Sequence, residues 1–365
     1  MRVAVLGLGN AGYDLHLPAL AGISGVTAIG VDPDAARRAR AAAAHKVSVV
    51  ESLDVALALG ALDAVVVATP PSSHVEVCLQ ALAAGAHIFC EKPFAPSVHD
   101  AQIIIDAAAK ANRRIALNHE FREMPIFRAL RDQIGKPDVG GLVFAQAWQN
   151  MDLPPWKEPG WRGRLLTGTL YEAGLHLTDY LIALFGEKPV AVTATMSTCG
   201  VRPEASDSIA LVTMEFSRGR LAQVIQNRLC HGETQYFEVR ADAEKASLRA
   251  SFGGRARVSA GLYRSTMPHV RVELGASGMA WKEVGHKRVA IAKNPKAPAM
   301  AATRIMLEKS LASFRDGTAP PATAEDGRDA IEVLAACYRS AELGKRVNVD
   351  GALELMTYRF GGVAH

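Results

Sequence analysis

The segment Tyr171-Glu172-Ala173-Gly174-Leu175-His176-Leu177-Thr178-Asp179-Tyr180-Leu181 carries two carboxylates and an imidazole at intervals of four and three residues. On an α-helix, where successive residues turn by about 100°, Glu172, His176 and Asp179 fall in one narrow stripe. Leu175, Leu177 and Leu181 around them read as core packing. Three chemistries fit such a stripe: a metal site, proton exchange with a substrate, or simple complementarity to the helix dipole. A metal site needs further ligands, usually a second histidine, and no partner cluster stands out along the chain, so no metal is expected. The dipole accounts for Glu172 in a first turn but not for a histidine and a second acid among leucines. Proton exchange accounts for more, since histidine is the side chain whose unperturbed pKa lies near neutrality.

A second group of residues points to a nucleotide. "GLGNAG" places Gly7, Gly9 and Gly12, with Asn10 and Ala11 between them, directly after a short apolar run and at the start of a helical stretch. In that setting the first glycine permits a tight turn, the second lets the backbone approach a pyrophosphate, and the third lets helix and strand pack closely. The helix N-terminus then offers free N–H groups to the phosphates. Asp32 closes the second apolar run about twenty residues on, where a carboxylate accepts ribose hydroxyls. That carboxylate repels a 2′-phosphate, so NAD is expected in preference to NADP. Arg37 and Arg38 are expected on a solvated helix face.

These residues need a scaffold, and the pattern supplies one. "RVAVLGLG", "VTAIGVD", "VSVV", "LDAVVVATP", "AHIFCEKP" and "RRIALNH" are apolar runs separated by helical stretches. Continuous Val/Ile/Ala strands are buried on both faces, as in a parallel sheet covered by helices. After residue 120 come longer alternating strands with little helix between them, and two helices follow near the C-terminus. The expected fold is α/β plus α+β. Residues 1–120 form a doubly wound Rossmann domain, and 121–365 form a substrate-binding and oligomerisation domain on a mostly antiparallel open sheet. The C-terminal helices are free to pack back on the first domain.

The bulk numbers agree. A chain of 365 residues with 49% hydrophobic composition has room for two cores. The net charge of +4, from 41 basic and 37 acidic residues, includes no basic block suited to nucleic acid. Five scattered cysteines without a CxxC pair suit a reducing compartment. No apolar run is long enough to span a bilayer and no leader precedes the first strand, so a cytoplasmic protein without membrane partners is expected.

With "FCEKPFA" following "ATPPSSHVEVCLQALAAGAH", the chain resembles the Gfo/Idh/MocA family of nicotinamide-dependent oxidoreductases. The likeness runs over nearly the whole length and takes in "HLPAL", the Glu91-Lys92-Pro93 element, "NHEFR", "GLHLTD" and "EDGRDAIEVLAACYRSAELGKRV". It implies that Lys92 and His176 are the catalytic pair at the nicotinamide, that Glu91 belongs to the cofactor site, and that the Lys92–Pro93 peptide is cis. Most members carry an aspartate four residues before the histidine; this chain has Glu172, with one more methylene. Many relatives also have three glycines where this chain has Leu166-Thr167-Gly168.

Further candidates follow from position. Thr69, Pro70 and His74 succeed the fourth strand, at the carboxyl edge where doubly wound sheets hold their cofactor. Asn118 and Arg122 lie at the same edge of the last strand, as substrate contacts. "PPWKEPGWRGR" offers Trp156, Trp161 and Arg162 for stacking on a sugar and fixing its hydroxyls. His16 is expected to be structural. The resulting expectation is an NAD-dependent dehydrogenase of a sugar, polyol or related carbohydrate, using Lys92, His176 and Glu172. Its rivals are a non-catalytic nucleotide-binding regulator and a glycoside-cleaving enzyme that cycles a tightly held NAD. A homodimer or homotetramer is expected through the open sheet, whose exposed face needs cover.

Overall fold

The apolar runs of the N-terminal third become β1 (Arg2–Leu6), β2 (Thr27–Val31), β3 (Ser48–Val50), β4 (Ala64–Val67), β5 (His87–Cys90) and β6 (Ile115–Leu117). They pair in parallel in the order β3-β2-β1-β4-β5-β6, the doubly wound order, whose direction reverses between β1 and β4. All four residues of β4 are buried, as a strand covered on both faces requires. The computed structural model describes residues 1–153, 168–198, 207–231, 235–252, 255–261, 269–275, 277–285 and 287–360. It divides into two compact units.

The first unit comprises Met1–Glu123, Ala299–Ala335 and residues 351–360. Its helices start where short polar side chains satisfy orphan N–H groups. Asp34 accepts from Ala36 and Arg37 ahead of helix Ala35–His45, and Ser97 accepts from the Asp100 N–H ahead of helix Val98–Ala111. The β6 edge is covered from within the unit: the Leu117 N–H donates to Ala322, and Ala116 bridges to Thr323. Helix Ala324–Leu343 approaches so closely that a Cβ on Gly327 would lie 2.1 Å from the Leu117 side chain. An added methyl there would force the Leu117 side chain to move.

The second unit comprises the described residues of Met124–Pro298 with Ala336–Asp350. Here lie β7 (Leu142–Asn150), β8 (Ala191–Ser197), β9 (Ile209–Glu215), β10 (Leu221–Asn227), β11 (Gln235–Ala243), β12 (Ser247–Phe252), β13 (Arg255–Gly261), β14 (His269–Gly275), β15 (Met279–Val284), β16 (Lys287–Lys293) and β17 (Val347–Asn348). Nine of them form one sheet in the order β16-β15-β12-β11-β7-β10-β9-β8-β17, with β13 and β14 a separate hairpin. Every pairing is antiparallel except β7 with β10. The expected mostly antiparallel sheet is therefore present.

One face of that sheet is lined by small residues, among them Ala145, Ala147, Ala210 and Ala222, all fully buried. Such a face admits a helix at close range, and Leu175–Phe185, buried at ten of its eleven positions, packs on it. Phe127, Tyr180 and Phe237 cluster beside it, with the Tyr180 hydroxyl donating to the Phe127 carbonyl at 2.7 Å. The other face carries Leu211, Thr213, Leu221 and Thr193 in register across β8, β9 and β10. Leu211 and Leu221 are 46% and 41% exposed.

Candidate active site

Each glycine of the turn after β1 answers to a different neighbour. Gly7 has φ +91°, and a Cβ on it would lie 2.7 Å from the Ala68 carbonyl oxygen. A Cβ on Gly12 would lie 1.9 Å from the Gly7 carbonyl oxygen. The protein itself demands both glycines. Around Gly9 nothing lies within 4 Å of the corresponding position, so what glycine leaves there is open space for a group arriving from outside. These residues fit a dinucleotide pyrophosphate. Asn10 and Ala11 open a π-helical turn, Ala11–His16, ahead of helix Leu17–Ala21; the sequence suggested one plain helix. Pro18, in the first turn of that helix, brings no N–H to the ladder.

Asp32 is 2% exposed, and its carboxylate accepts the Leu8 N–H at 2.8 Å and the Asp34 N–H at 2.9 Å. It therefore ties the glycine turn to the end of β2. The Arg37 guanidinium stands 3.6 Å from it. Arg38 corrects the expectation of a solvated face, because it donates to the Asp32 and Pro33 carbonyls at 2.7 and 2.9 Å.

After β4, Thr69 accepts from the Ser73 hydroxyl at 2.8 Å, and Pro70 precedes the turn Pro71–Ser73. His74, singled out as a cofactor contact, is fully buried. Its ring nitrogens face the Thr69 carbonyl at 2.9 Å and the Phe94 carbonyl at 3.1 Å, so it braces the loop after β4 against the loop after β5. Burial holds its pKa below the ordinary imidazole value, against the two carbonyls and Glu91.

Glu91, Asn118 and His16 form one buried network. The His16 Nε2–H donates to Glu91 Oε1 at 2.7 Å, and the Asn118 amide donates to the same oxygen at 2.8 Å. Asn118 also reaches Thr303 Oγ1 at 3.3 Å, and Glu91 Oε2 accepts the Lys92 N–H at 3.2 Å. Burial alone would raise the Glu91 pKa, but the hydrogen bond and charge of His16, with Asn118 and Lys92, outweigh it and hold the carboxyl low. Glu91 and Asn118, expected as ligand contacts, have these groups turned onto protein partners instead. Arg122 likewise is 6% exposed and pairs with Asp326 at 3.0 Å. Lys92 follows at the carboxyl end of β5, half-buried, and the Lys92–Pro93 bond is cis, as the family pattern implied.

In the second unit the motif helix differs from a uniform α-helix. Thr169–Gly174 is a π-helical turn that runs into the α-helix Leu175–Phe185. A π-turn rotates less per residue, so Glu172 leaves the ideal α stripe while His176 and Asp179 stay on α geometry. Glu172, His176 and Asp179 are 9%, 7% and 2% exposed. All three are thus buried on one element, in keeping with a site rather than a solvated face.

What holds the start of this helix was not legible in the sequence. Gly168, the residue before the π-turn, offers no side-chain cap. Asp207, just before β9, accepts the Gly168 N–H at 3.0 Å and the Leu170 N–H at 2.8 Å. Tyr338, on helix Ala324–Leu343, donates its hydroxyl to Asp207 at 2.8 Å and accepts the Tyr171 N–H at 3.3 Å. Burial pushes the Asp207 carboxyl up, against the Leu170 N–H, the Tyr338 hydroxyl, and the Gly168 and Thr169 N–H groups. Trp156, Trp161, Arg162 and the Leu166-Thr167 departure lie outside the described residues. Among the described residues no group of three or more His, Cys, Asp or Glu side chains is arranged to hold a metal ion.

Comparison with known proteins places this geometry in context. Residues 1–119 match the model of an oxidoreductase family with an NAD-binding Rossmann fold, and residues 127–248 match the GFO/IDH/MocA C-terminal domain. An inositol 2-dehydrogenase from Leifsonia xyli subsp. xyli is 34% identical over 232 residues, 62% of this chain and 66% of that protein. A UDP-N-acetylglucosamine 3-dehydrogenase from Acidithiobacillus ferrooxidans is 30% identical over 229 residues, 63% of this chain and 67% of that protein. The chain spans about half to two thirds of the length of the curated relatives it matches first, from 49% to 66%. An oxidoreductase from Agrobacterium radiobacter, crystallised with NAD+, L-tartaric acid and magnesium, shares the fold at a TM-score of 0.81 and 15% identity, over 96% of this chain and 98% of that one.

Proposed function

The chain belongs to the Gfo/Idh/MocA oxidoreductase family, and from that premise we propose that it is an NAD-dependent dehydrogenase of a hydroxyl on a sugar, polyol or related carbohydrate. The observation that carries the reading is Lys92. It stands at the carboxyl end of β5, with its backbone held by the buried Glu91, in the unit whose glycine turn leaves the space beside Gly9 open. A bound nicotinamide would supply the hydride acceptor. The chain's own residues do the rest. The Lys92 ammonium holds the hydroxyl oxygen and stabilises charge as C–O bond order changes. The His176 imidazole takes the hydroxyl proton, and Glu172, four residues before it, orients the ring or binds a neighbouring hydroxyl. The glycine turn and Asp32 hold the dinucleotide, and NAD is preferred to NADP.

The protein works as a homodimer or homotetramer packed through the second unit's open sheet face. The exposed Leu211 and Leu221 on that face support this assembly.

The test is NADH formation across a panel of sugars, polyols and sugar acids, for wild type, Lys92→Ala and His176→Ala, with NADP in parallel. The expected outcome is turnover on one substrate class, lost in both variants while NADH still binds. Tight NADH binding with no turnover on any substrate would overturn the dehydrogenase reading and favour a regulator. Product formation without net NADH release would favour a glycoside-cleaving cycle.

A further inference from the structure

The helix that bears Glu172 and His176 begins in a π-turn whose preceding residue, Gly168, supplies no side-chain cap. Three N–H groups at this start converge on two side chains far away in sequence. Gly168 and Leu170 donate to the two oxygens of Asp207, 39 and 37 residues on. Tyr171 donates to the hydroxyl of Tyr338, 167 residues on, and that hydroxyl in turn donates to Asp207. Asp207 and Tyr338 are 7% and 6% exposed, so water does not compete freely for these bonds.

We propose that Asp207 and Tyr338 are a pair of positioning residues for the catalytic helix, capping it from the segment just before β9 and from a neighbouring helix and so fixing where Glu172 and His176 present their side chains. The inference rests on the dehydrogenase reading for its kinetic test, but the cap itself is independent of that reading. The two oxygens of one carboxylate face the Gly168 and Leu170 N–H groups and the Tyr338 O–H, with the Thr169 N–H beside them. Asparagine at 207 has a single acceptor oxygen and would turn an NH2 toward one of those donors. Phenylalanine at 338 would remove the hydroxyl to which the Tyr171 N–H donates and which itself donates to Asp207.

A cap of this kind has a functional signature distinct from general stabilisation. A displacement of about 1 Å in reacting groups can cost roughly 100-fold in rate without loss of fold. The dinucleotide turn lies in the other unit, on different elements, and its nucleotide affinity should not follow the cap.

The experiment compares full-length wild type with Asp207→Asn, Tyr338→Phe and the double variant. Three quantities are read: kcat and KM for the substrate found above, NADH affinity by fluorescence, and hydrogen exchange of the amides of residues 168–172. The expected result is a fall in kcat of roughly 10- to 100-fold in each single variant, with NADH affinity within about twofold. The double variant should be no worse than about threefold below the poorer single one, because the two side chains act as a unit. Exchange at 168–172 should quicken in all three. Unchanged exchange at 168–172 would overturn the cap. Quickened exchange with unchanged kcat would overturn the positioning role. A parallel loss of NADH affinity and of kcat would also overturn it, since that marks a merely structural role. If wild type binds NADH but turns over nothing, the dehydrogenase reading fails, and the exchange data still decide the cap.

Discussion

The His16 imidazole and the Glu91 carboxylate meet at 2.7 Å, with side-chain exposures of 0% and 11%. His16 comes from the turn that follows the glycines and Glu91 from the end of β5, so this one contact joins the nucleotide turn to the segment that begins with Lys92. Removing one partner of a buried pair leaves the other charge uncompensated. His16→Ala should therefore cost about 3–5 kcal/mol of stability, and His16→Gln, which keeps a donor toward Glu91, clearly less. Denaturant unfolding of the two variants checks this; equal, small losses would show that the pair contributes little.

Glu172 separates charge from reach. Glu172→Gln removes the carboxylate and should lower kcat by roughly 100-fold, within the span general acid–base groups contribute. Glu172→Asp keeps the charge, shortens the arm, and should stay within about tenfold of wild type. Steady-state kinetics on the identified substrate gives the comparison, and a silent Glu172→Gln would remove Glu172 from the site.

The glycine turn yields a contrast between two similar changes. At Gly9 an added methyl meets no protein atom within 4 Å, so Gly9→Ala should fold normally yet bind NADH at least about tenfold more weakly. At Gly12 the same methyl would lie 1.9 Å from a backbone oxygen, so Gly12→Ala should destabilise the fold itself. Thermal melts beside nucleotide titrations separate the two effects, and equal behaviour of the variants would contradict this account of the turn.

His74 sets a pH dependence. Burial holds its folded pKa below the unfolded value of 6.5, so the unfolded chain takes up the proton more readily. The contribution is fully present above pH 6.5 and is lost as pH falls through the lower, folded value. Glu91, also lowered, loses its contribution further down, as pH falls through the carboxylate range. Wild type should accordingly weaken in two stages on acidification. His87, also held low by burial, shares the first stage, so His74→Gln should weaken less in it than wild type, and unfolding curves taken from pH 8 to pH 5 would show whether it does.

The open sheet face predicts the assembly. Leu211 lies opposite Ile225 on β10 and opposite Thr195 on β8, on the face that leaves it 46% exposed. Leu211→Arg should shift light-scattering mass toward the monomer, and an unchanged mass would move the interface elsewhere.

Much of the scaffold was legible because its causes are local. Apolar runs dictated β1 to β6, and Gly12 was demanded by the Gly7 backbone a few residues before it, whereas Gly7 answers also to Ala68 after β4. The strands β12 to β16 were missed: β15 and β16 set apolar residues side by side with Lys, Arg and Glu, although β13 and β14 alternate cleanly through Ala256, Val258 and Ala260 and through Val270, Val272 and Leu274. Asn118 and Arg122 were rightly placed at the carboxyl edge of β6, yet their polar groups turn to Glu91, Thr303 and Asp326, partners 27 to 204 residues away.

The sequence by itself determined the strand order's raw material, the glycine turn, and the acid–imidazole–acid spacing on one helix, because chain sterics and hydrophobic period act over short range. Only the tertiary structure decided that His16 completes Glu91, that Asp207 and Tyr338 cap the helix of His176, and that this helix starts as a π-turn. A buried polar group takes whichever partner the packed fold brings within about 3 Å, and desolvation makes that choice decisive. No local pattern along the chain records which partner that will be.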